Sequence, residues 1–332
     1  MTRLLSIIIP VYNVEPYIRT CLESIFRQGL TDNTYEIIVV NEGSTDKSME
    51  KISDLIQHHS NIITINQEHL GVSVARNNGF LQATGEYILF LDSDDFLIEG
   101  SLPLLLERTM SSKPDISVAD FISLRKIDVS TPSPRILEHD YAWEEKTGRE
   151  MFLVFENLFK ATVWHGLYRR DFLQNHHIQF EPGIYYEDVP FTHECYLKAD
   201  KCLKTNLPLL FHRSGREGSI TSLFTQEHAR SLSIAIGKTW NLKKAVHLNE
   251  AEYQILQKSV FVRFYRIVTW SIAHLSWPER YRAMSHLRQS APDLAFSLSS
   301  LQKLITLIYR ISPHLLISLW AFKLKILPHQ AD

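Results

Sequence analysis

Hydrophobic residues in the first third of the chain follow two alternating patterns. Short continuous apolar runs, typical of strands covered on both faces, are separated by segments in which apolar residues recur at helical spacing. This strand–helix alternation predicts an α/β fold with a mostly parallel sheet and right-handed crossover helices. The predicted strands are Leu4–Ile9, Tyr35–Val40, Ile62–Ile65, Glu86–Leu91 and Ile116–Phe121, and the helices between them carry Ile18, Leu22 and Ile25, then Met49, Ile52 and Ile56, and then span Val72–Ala83.

Polar residues follow the predicted strands. Asn13 and Ser44 are of the type that caps helices, so we expect each to accept hydrogen bonds from the first amides of the next helix. In open parallel sheets, ligands bind beyond the carboxyl ends of the strands. Asn41, Glu42 and the aspartates of residues 92–95 all fall at such ends, which predicts a ligand site there.

The pattern changes after residue 122. A polar stretch containing Pro132 and Pro134 is typical of an exposed loop, and residues 150–220 mix short helices with loops. Beyond Thr225 the chain shows long helical patterns with few glycines. These changes predict an α/β domain over residues 1–224, with halves 1–122 and 123–224, and a helical region over 225–332.

The segment from Leu301 to Leu327 is apolar but interrupted by basic residues. This pattern fits helices lying on an anionic membrane surface, and it fits equally a helix pair packed on its own domain. Both interpretations remain open on the sequence.

Composition narrows the class of protein. With 332 residues, 45% hydrophobic, 22% charged and a formal net charge of −2, the chain is of ordinary globular composition and has no global nucleic-acid-binding charge. Its three cysteines show no metal-ligand spacing and are expected to be reduced. The N-terminal apolar run is expected to be a strand and not a signal peptide, and no apolar window reaches the ~18 residues of a membrane span. We therefore expect a cytoplasmic protein, or one on the inner face of the membrane.

An apolar run from Tyr87 ends in three carboxylates, Asp92, Asp94 and Asp95. Burying such charges is costly unless a cation or hydrogen-bond donors compensate for them. Side chains two residues apart on an extended backbone point the same way, which suits one hard divalent ion. The alternative is a solvated turn or a helix cap.

Four segments occur in an order that closely resembles the family 2 glycosyltransferases, which are nucleotide-sugar enzymes with a GT-A fold. The resemblance is close over residues 4–122 and continues more weakly to about residue 221. The segments are Ile8–Asn13, Ile37–Asp46, Gly71–Gly79 and the aspartate cluster.

The resemblance implies a pocket for the nucleoside diphosphate donor. Pro10, Tyr12 and Glu42 would surround the base, with the Tyr12 ring covering it and the Glu42 carboxylate accepting its imide N–H. Arg76 would meet the diphosphate, the alternative being a surface salt bridge. The resemblance also includes three small polar residues among the donor-binding positions, namely Asn13, Ser44 and Ser93.

Asp92 and Asp94 resemble the Asp-x-Asp motif of the family, which implies Mn²⁺ or Mg²⁺ as cofactor. Asp94 would bind the metal directly, and Asp92 would act through water or the ribose. Asp95 would support them or cap a helix. Such a metal acts as a Lewis acid on the diphosphate.

Glu187 and Asp188 resemble the acidic pair at which the family places its catalytic base. Asp188 would take the proton of the acceptor hydroxyl, with Glu187 orienting it or the acceptor. The alternative is that both residues only favour the dipole of a helix that begins there.

Two further segments resemble the family. Trp164 would stack on an acceptor sugar, or would be a buried structural residue. Arg213 and Arg216 would clamp phosphate from a mobile loop, or would belong to a basic surface loop.

The sequence therefore predicts an inverting, metal-dependent glycosyltransferase. Its donor would be a nucleotide-sugar, with UDP as the nucleotide, and its acceptor a glycan or lipid-linked glycan of cell-surface polysaccharide biosynthesis. A nicotinamide-dependent oxidoreductase is the first alternative, although no G-x-G-x-x-G follows the first strand. A catalytically inactive binding module is the second, since Asn41 and the His165–Gly166 pair depart from the family pattern.

Overall fold

The structure is a computed structural model, and it describes residues 3–125, 141–154, 161–215 and 223–326. The chain divides into two compact units. The first comprises residues 1–151, 162–183 and 195–219, and the second comprises residues 152–161, 184–194 and 220–332. The domain boundary predicted at residue 224 stays a prediction.

The first unit contains one mixed sheet of nine strands among the described residues, in the order β3-β2-β1-β4-β8-β6-β9-β5, with β7 paired to β9. The strands are β1 Leu5–Val11, β2 Tyr35–Asn41, β3 Ile62–Asn66, β4 Tyr87–Phe90, β5 Phe96–Leu97, β6 Ile116–Arg125, β7 Trp143–Lys146, β8 Gly166–Arg169 and β9 Cys202–Ser214. The helices up to β9 are α1 Ile18–Phe26, α2 Ser53–His58, α3 Val72–Gln82, α4 Ser101–Ser112, α5 Gly148–Val154, α6 Arg170–Asn175 and α7 Asp188–Lys198.

The predicted parallel arrangement is confirmed for β1 to β4. Strand β1 pairs in parallel with β2 and β4, and β2 pairs in parallel with β3. Beyond β4 the pairing becomes mixed, because β8 runs antiparallel to both β4 and β6. Every residue of β1 and β4 is buried, as their continuous apolar runs require.

Helix α3 packs closely on the sheet because it carries a glycine at the contact. A Cβ on Gly79 would lie 2.4 Å from Cγ2 of Ile8 and 3.3 Å from Cγ2 of Val40. The close approach holds α3, which also carries Arg76, against β1 and β2.

The two predicted N-caps are wrong. Helix α1 begins at Ile18, with Tyr17 at the cap position and no side-chain cap bond. Asn13 instead has a positive φ of 49°, and its Oδ1 accepts from the amide of Thr45 at 2.8 Å. Ser44 Oγ accepts from the amide of Asn13 at 3.3 Å, and its own amide donates to Asn41 Oδ1. These side chains join the loops after β1 and β2 to each other, so they are not available to a helix.

The second unit contains the predicted long helices, which are α8 Gln226–Ala245, α9 Glu250–His274, α10 Trp277–Ser290, α11 Ser300–Ile311 and α12 Pro313–Ile326. Local sequence starts three of them, since Thr225, Asn249 and Ser276 each form a capping box with the residue three positions on. Within the described residues, no helix is both long and apolar enough to cross a membrane. The three cysteines are buried, and none of them forms a disulfide within the described residues.

Candidate functional site

Three carboxylates meet in the turn between β4 and β5. Oxygens of Asp92, Asp94 and Asp95 all lie within 4.8 Å of one another. The amide of Asp95 donates to the carbonyl of Asp92, which closes the turn, and Ser93 is buried within it. Asp92 and Asp94 are half-buried, whereas Asp95 is only 1% exposed. Carboxylate oxygens are the ligands that Mg²⁺ and Mn²⁺ prefer, so these residues fit the implied metal.

Arg76 provides the cluster with a counter-charge. Its Nη2 lies 2.7 Å from Oδ1 of Asp92, and its side chain is 3% exposed. The guanidinium also lies over the ring of Phe180, 5.1 Å from the centroid. The alternative for Arg76 was a surface salt bridge. That alternative is wrong, because the Arg76 side chain is buried where it pairs with Asp92.

Asp95 joins the cluster to strand β9. Its Oδ1 accepts from the amide of Arg213 at 2.8 Å, and its Oδ2 lies 3.2 Å from Nδ1 of His212. Burial raises the pKa of Asp95 well above its usual range; the hydrogen bond with His212 opposes this, and the charges of Asp94 and Asp92 add to it. Burial opposes protonation of His212, but Asp95 outweighs it and raises the pKa of that imidazole. Asp95 is not a helix cap, since α4 begins at Ser101 after Gly100.

Trp164 packs against the same histidine. Its ring stacks on His212 with centroids 4.7 Å apart, and Phe121 meets it edge-on at 4.6 Å. Trp164 is 4% exposed and belongs to the main core of the first unit. This position favours the structural role over stacking on an acceptor sugar.

Arg213 lies at the end of β9 and is 9% exposed, so the surface-loop alternative is wrong for it. Its guanidinium packs over the rings of Phe96 and Tyr17, 4.8 Å and 5.3 Å from their centroids. Arg216, the other predicted phosphate clamp, lies outside the described residues.

A second group of polar residues lies at the ends of β1 and β2. Pro10 is buried in β1 opposite Val40, and Tyr12 follows the strand with its side chain 39% exposed. Glu42 follows β2 and is 3% exposed. Burial raises the pKa of Glu42, although His69, the Gly71 amide and Arg76 act in the opposite direction.

His69 was not predicted as a site residue from the sequence, yet it contacts both Tyr12 and Glu42. Its ring stacks on Tyr12, and its Nδ1 lies 3.5 Å from Oε2 of Glu42. A lone histidine in the connection between β3 and α3 carries no sequence signal of this contact, because the contact depends on the parallel pairing of three strands. His212 was missed for the same reason, since only β9 brings it to Asp95.

The predicted base belongs to the second unit. Asp188 is the first residue of α7, its carbonyl accepts from Thr192 Oγ1 at 2.7 Å, and Glu187 before it is 8% exposed. The helix dipole stabilises a carboxylate at this position. Tyr186 has a positive φ of 65°, so the backbone turns sharply before the pair.

The first turn of α7 is held by a buried chain of hydrogen bonds. His193 lies with Nδ1 2.7 Å from the carbonyl of Val189, so Nδ1 carries the proton and Nε2 accepts from Ser259 Oγ at 2.7 Å. Ser259 Oγ in turn accepts from Arg263 Nη1 at 2.7 Å. Burial lowers the pKa of His193 to about 3, with Arg263 adding to the effect, so the ring is neutral.

Known proteins that are similar to this chain include named glycosyltransferases. GlyA of Streptococcus pneumoniae, named a glycosyltransferase, is 31% identical over 70% of this chain and 34% of its own length. The poly(ribitol-phosphate) beta-glucosyltransferase of Bacillus spizizenii is 30% identical over 59% of this chain and 30% of its own length. The chain thus spans about a third of the length of these two relatives.

The fold is shared with a solved structure from S. aureus. The structure of S. aureus TarS 1–349 in complex with UDP-GlcNAc superposes with a TM-score of 0.75 at 19% identity, covering 97% of this chain and 91% of that one. This likeness confirms the predicted GT-A architecture. Residues 6–176 match the family described as Glycosyl transferase family 2, and the match includes the aspartate cluster, Arg76, Tyr12 and Glu42. The chain belongs to glycosyl transferase family 2.

Proposed function

We propose that the protein is an inverting, metal-dependent glycosyltransferase that transfers a sugar from a UDP-sugar to a hydroxyl of a cell-surface glycan or lipid-linked glycan. The observation that carries the proposal is the convergence of Asp92, Asp94 and Asp95 with Arg76 at the carboxyl end of β4. Ligands of open α/β sheets bind at such an edge. The S. aureus TarS structure described above was solved with UDP-GlcNAc, which supports UDP as the nucleotide.

Asp94, assisted by Asp92, would hold Mn²⁺ or Mg²⁺, which when bound neutralises the leaving diphosphate as a Lewis acid. Arg76 fixes the orientation of Asp92 through a charge-assisted hydrogen bond. The Asp92 carboxylate is thereby held in place beside Asp94, which would bind the metal ion. Asp95 holds the turn through the Arg213 amide. Glu42 presents a buried acceptor to a base that stacks on Tyr12.

Asp188 would act as the base. Its carboxylate takes the proton of the acceptor hydroxyl while the acceptor oxygen forms a bond to the anomeric carbon. The bond from that carbon to the UDP oxygen breaks with inversion, and UDP leaves with the bonding electrons. A positioned carboxylate contributes about 10²–10⁴-fold to such a step.

A calorimetric titration with UDP, with and without Mn²⁺, tests the donor site. We expect binding that depends on the metal and is lost in Asp94→Ala, whereas Asp171→Ala, which removes an exposed carboxylate from α6, binds as the wild type does. Metal-independent UDP binding would contradict the metal role. Hydrolysis of UDP-sugars without an acceptor separates an enzyme from an inactive binding module.

The C-terminal helices provide the contact with a membrane. Helix α11 buries Ile305 and Tyr309 on one side, as expected of a helix packed on its own domain. On its other side it exposes Leu304, Leu307 and Ile311, whose exposed fractions are 52%, 56% and 70%. Helix α12 continues the surface with exposed residues Leu315, Leu319 and Phe322.

Charge favours an anionic lipid surface as the partner of this face. Residues 294–331 contain four Lys or Arg and no Asp or Glu. An apolar face flanked by basic residues is the pattern of helices that lie in the interface of anionic bilayers. A lipid-linked acceptor would be presented at such a surface.

A further inference from the structure

The ring of His69 lies on the ring of Tyr12. Their centroids are 3.7 Å apart and their planes differ by 12°, which is a stacked contact. Tyr12 follows β1, and His69 lies in the connection between β3 and α3, so the contact joins two loops at the same edge of the sheet. Both side chains are substantially exposed, at 39% and 52%, and neither is fixed by burial in the core.

The same imidazole faces Glu42. Nδ1 of His69 lies 3.5 Å from Oε2 of Glu42, within ion-pair distance but without the alignment of a hydrogen bond. That oxygen is buried and has no hydrogen-bond partner among the described residues. A buried carboxylate oxygen without a hydrogen bond costs free energy, so this site favours a ligand that brings an N–H donor to it.

His69 thus makes both contacts that the proposed function assigns to the nucleobase. A planar ring covers Tyr12, and a ring nitrogen is directed at Glu42. Rings stacked at 3.7 Å leave no space for a base between them. A base can therefore reach this face of Tyr12 only after the imidazole has left it.

The structure permits that movement. His69 is held by one stacked ring and by one 3.5 Å contact with the Glu42 carboxylate, both of which are weak contacts. Gly71, two residues on, has a φ of 90° and no heavy atom within 4 Å of the position of a Cβ, so open space lies on that side of the loop. The imidazole leaves Oε2 of Glu42 without a hydrogen bond, so this oxygen is an acceptor for the imide N–H of a base that takes its place.

We propose that His69 occupies the nucleobase position in the unliganded protein and is displaced when a nucleotide with an N–H on its pairing edge binds. This inference rests on the proposed donor site. Part of the intrinsic affinity is then used to expel the ring, since only the fraction of molecules with an open pocket can bind. His69 acts as a competitor that admits a base able to replace both of its contacts.

The direction of one affinity change tests the proposal. In His69→Ala the competing ring is absent, so we expect UDP, titrated by calorimetry in the presence of Mn²⁺, to bind about three- to tenfold more tightly than to the wild type. UMP without metal should show a similar gain, because the effect arises at the base and not at the diphosphate. His58→Ala, which removes an exposed histidine from α2, is the matched control and should bind as the wild type does.

A second variant separates displacement from loss of a contact. His69→Phe keeps a ring able to cover Tyr12 and removes the nitrogen, so it should bind UDP no more tightly than the wild type. Unchanged or weaker binding by His69→Ala would overturn the proposal, since it would mean that the imidazole supports the bound base. If neither the wild type nor any variant binds UDP, the proposed donor site fails, and this inference fails with it.

Discussion

The guanidinium of Arg76 donates to the carboxylate of Asp92 from a buried position, with Nη2 2.7 Å from Oδ1. Arg76 is 3% exposed, whereas Asp92 is 27% exposed, so the cation is enclosed and its partner reaches solvent. The cation lies on α3, and the carboxylate follows β4. This pair attaches the aspartate cluster to the helix that packs over the strand ends, and it offsets one of the three negative charges.

Removing the cation should destabilise the first unit. Arg76→Met keeps the volume of the side chain and leaves Asp92 without its partner. Breaking a buried ion pair costs about 3–5 kcal/mol, and the partial exposure of Asp92 reduces this to about 1–3 kcal/mol. Thermal unfolding should therefore show a melting temperature several degrees lower. Arg27→Met, which breaks an exposed pair with Glu23, should change stability by less than about 0.5 kcal/mol; equal effects of the two variants would contradict a buried role for Arg76.

Asp188→Asn should separate catalysis from binding. The substitution removes the proton acceptor and keeps the shape of the side chain, so we expect UDP affinity to be retained and sugar transfer to fall by about 10²–10⁴-fold. Transfer is measured as UDP release in the presence of acceptor. Asp171→Asn is the matched control, because Asp171 lies in the first turn of α6 as Asp188 lies in that of α7. A helix-dipole role alone would give both variants the same small loss of stability and leave transfer unchanged.

The stability of the second unit should depend on pH through His193. The folded state lowers the pKa of this group from 6.5 to about 3, so its neutral form stabilises the fold fully above pH 6.5. That stabilisation is lost as the pH falls from 6.5 towards 3, by about 2–3 kcal/mol at a pH of about 4.5. His193→Gln should be less stable than the wild type at neutral pH, and the difference should shrink as the pH is lowered. Unfolding followed by circular dichroism at several pH values measures this, and a difference independent of pH would exclude titration of His193.

The exposed face of α11 should determine binding to vesicles. Combined substitution Leu304→Gln, Leu307→Gln and Ile311→Gln removes the apolar contact without altering charge, and we expect loss of binding to anionic vesicles in flotation assays. Neutral vesicles should bind the wild type weakly, because the basic residues then have no partner. Leu81→Gln changes a single exposed leucine on α3 and should bind as the wild type does. Self-association of the wild type that the triple variant abolishes, without vesicle binding, would instead identify a second copy of the chain as the partner.

Hydrophobic periodicity was sufficient to predict the parallel half of the sheet. The continuous apolar runs of β1, β2 and β4 are buried on both faces. A short strand with such a run is stable mainly in the interior of a sheet that is covered on both sides. The position of Asp92, Asp94 and Asp95 at a strand end followed directly, because it depends on chain order alone. The long helices after Thr225 were equally predictable, since their apolar spacing is local and three of them begin with a capping box that spans four residues.

Side chains that join one strand end to another were not predictable. Asn13 and Ser44 are residue types that cap helices, but the parallel pairing of β1 with β2 brings their loops together. Ser44 Oγ therefore accepts from the amide of Asn13, and Asn13 Oδ1 accepts from the amide of Thr45. The mixed pairing beyond β4 also lacked a local signal, because strand direction depends on which edge of the sheet a returning segment meets.

The sequence by itself determined which elements form, which residues carry charge at the strand ends and which family the chain resembles. Only the tertiary structure decided the partners of those charges: Arg76 for Asp92, His212 for Asp95, and His69 for Glu42 and Tyr12. The physical reason is one of range. Periodicity and capping act within a few residues, whereas an ion pair or a ring stack depends on positions that come together only when the sheet has been assembled.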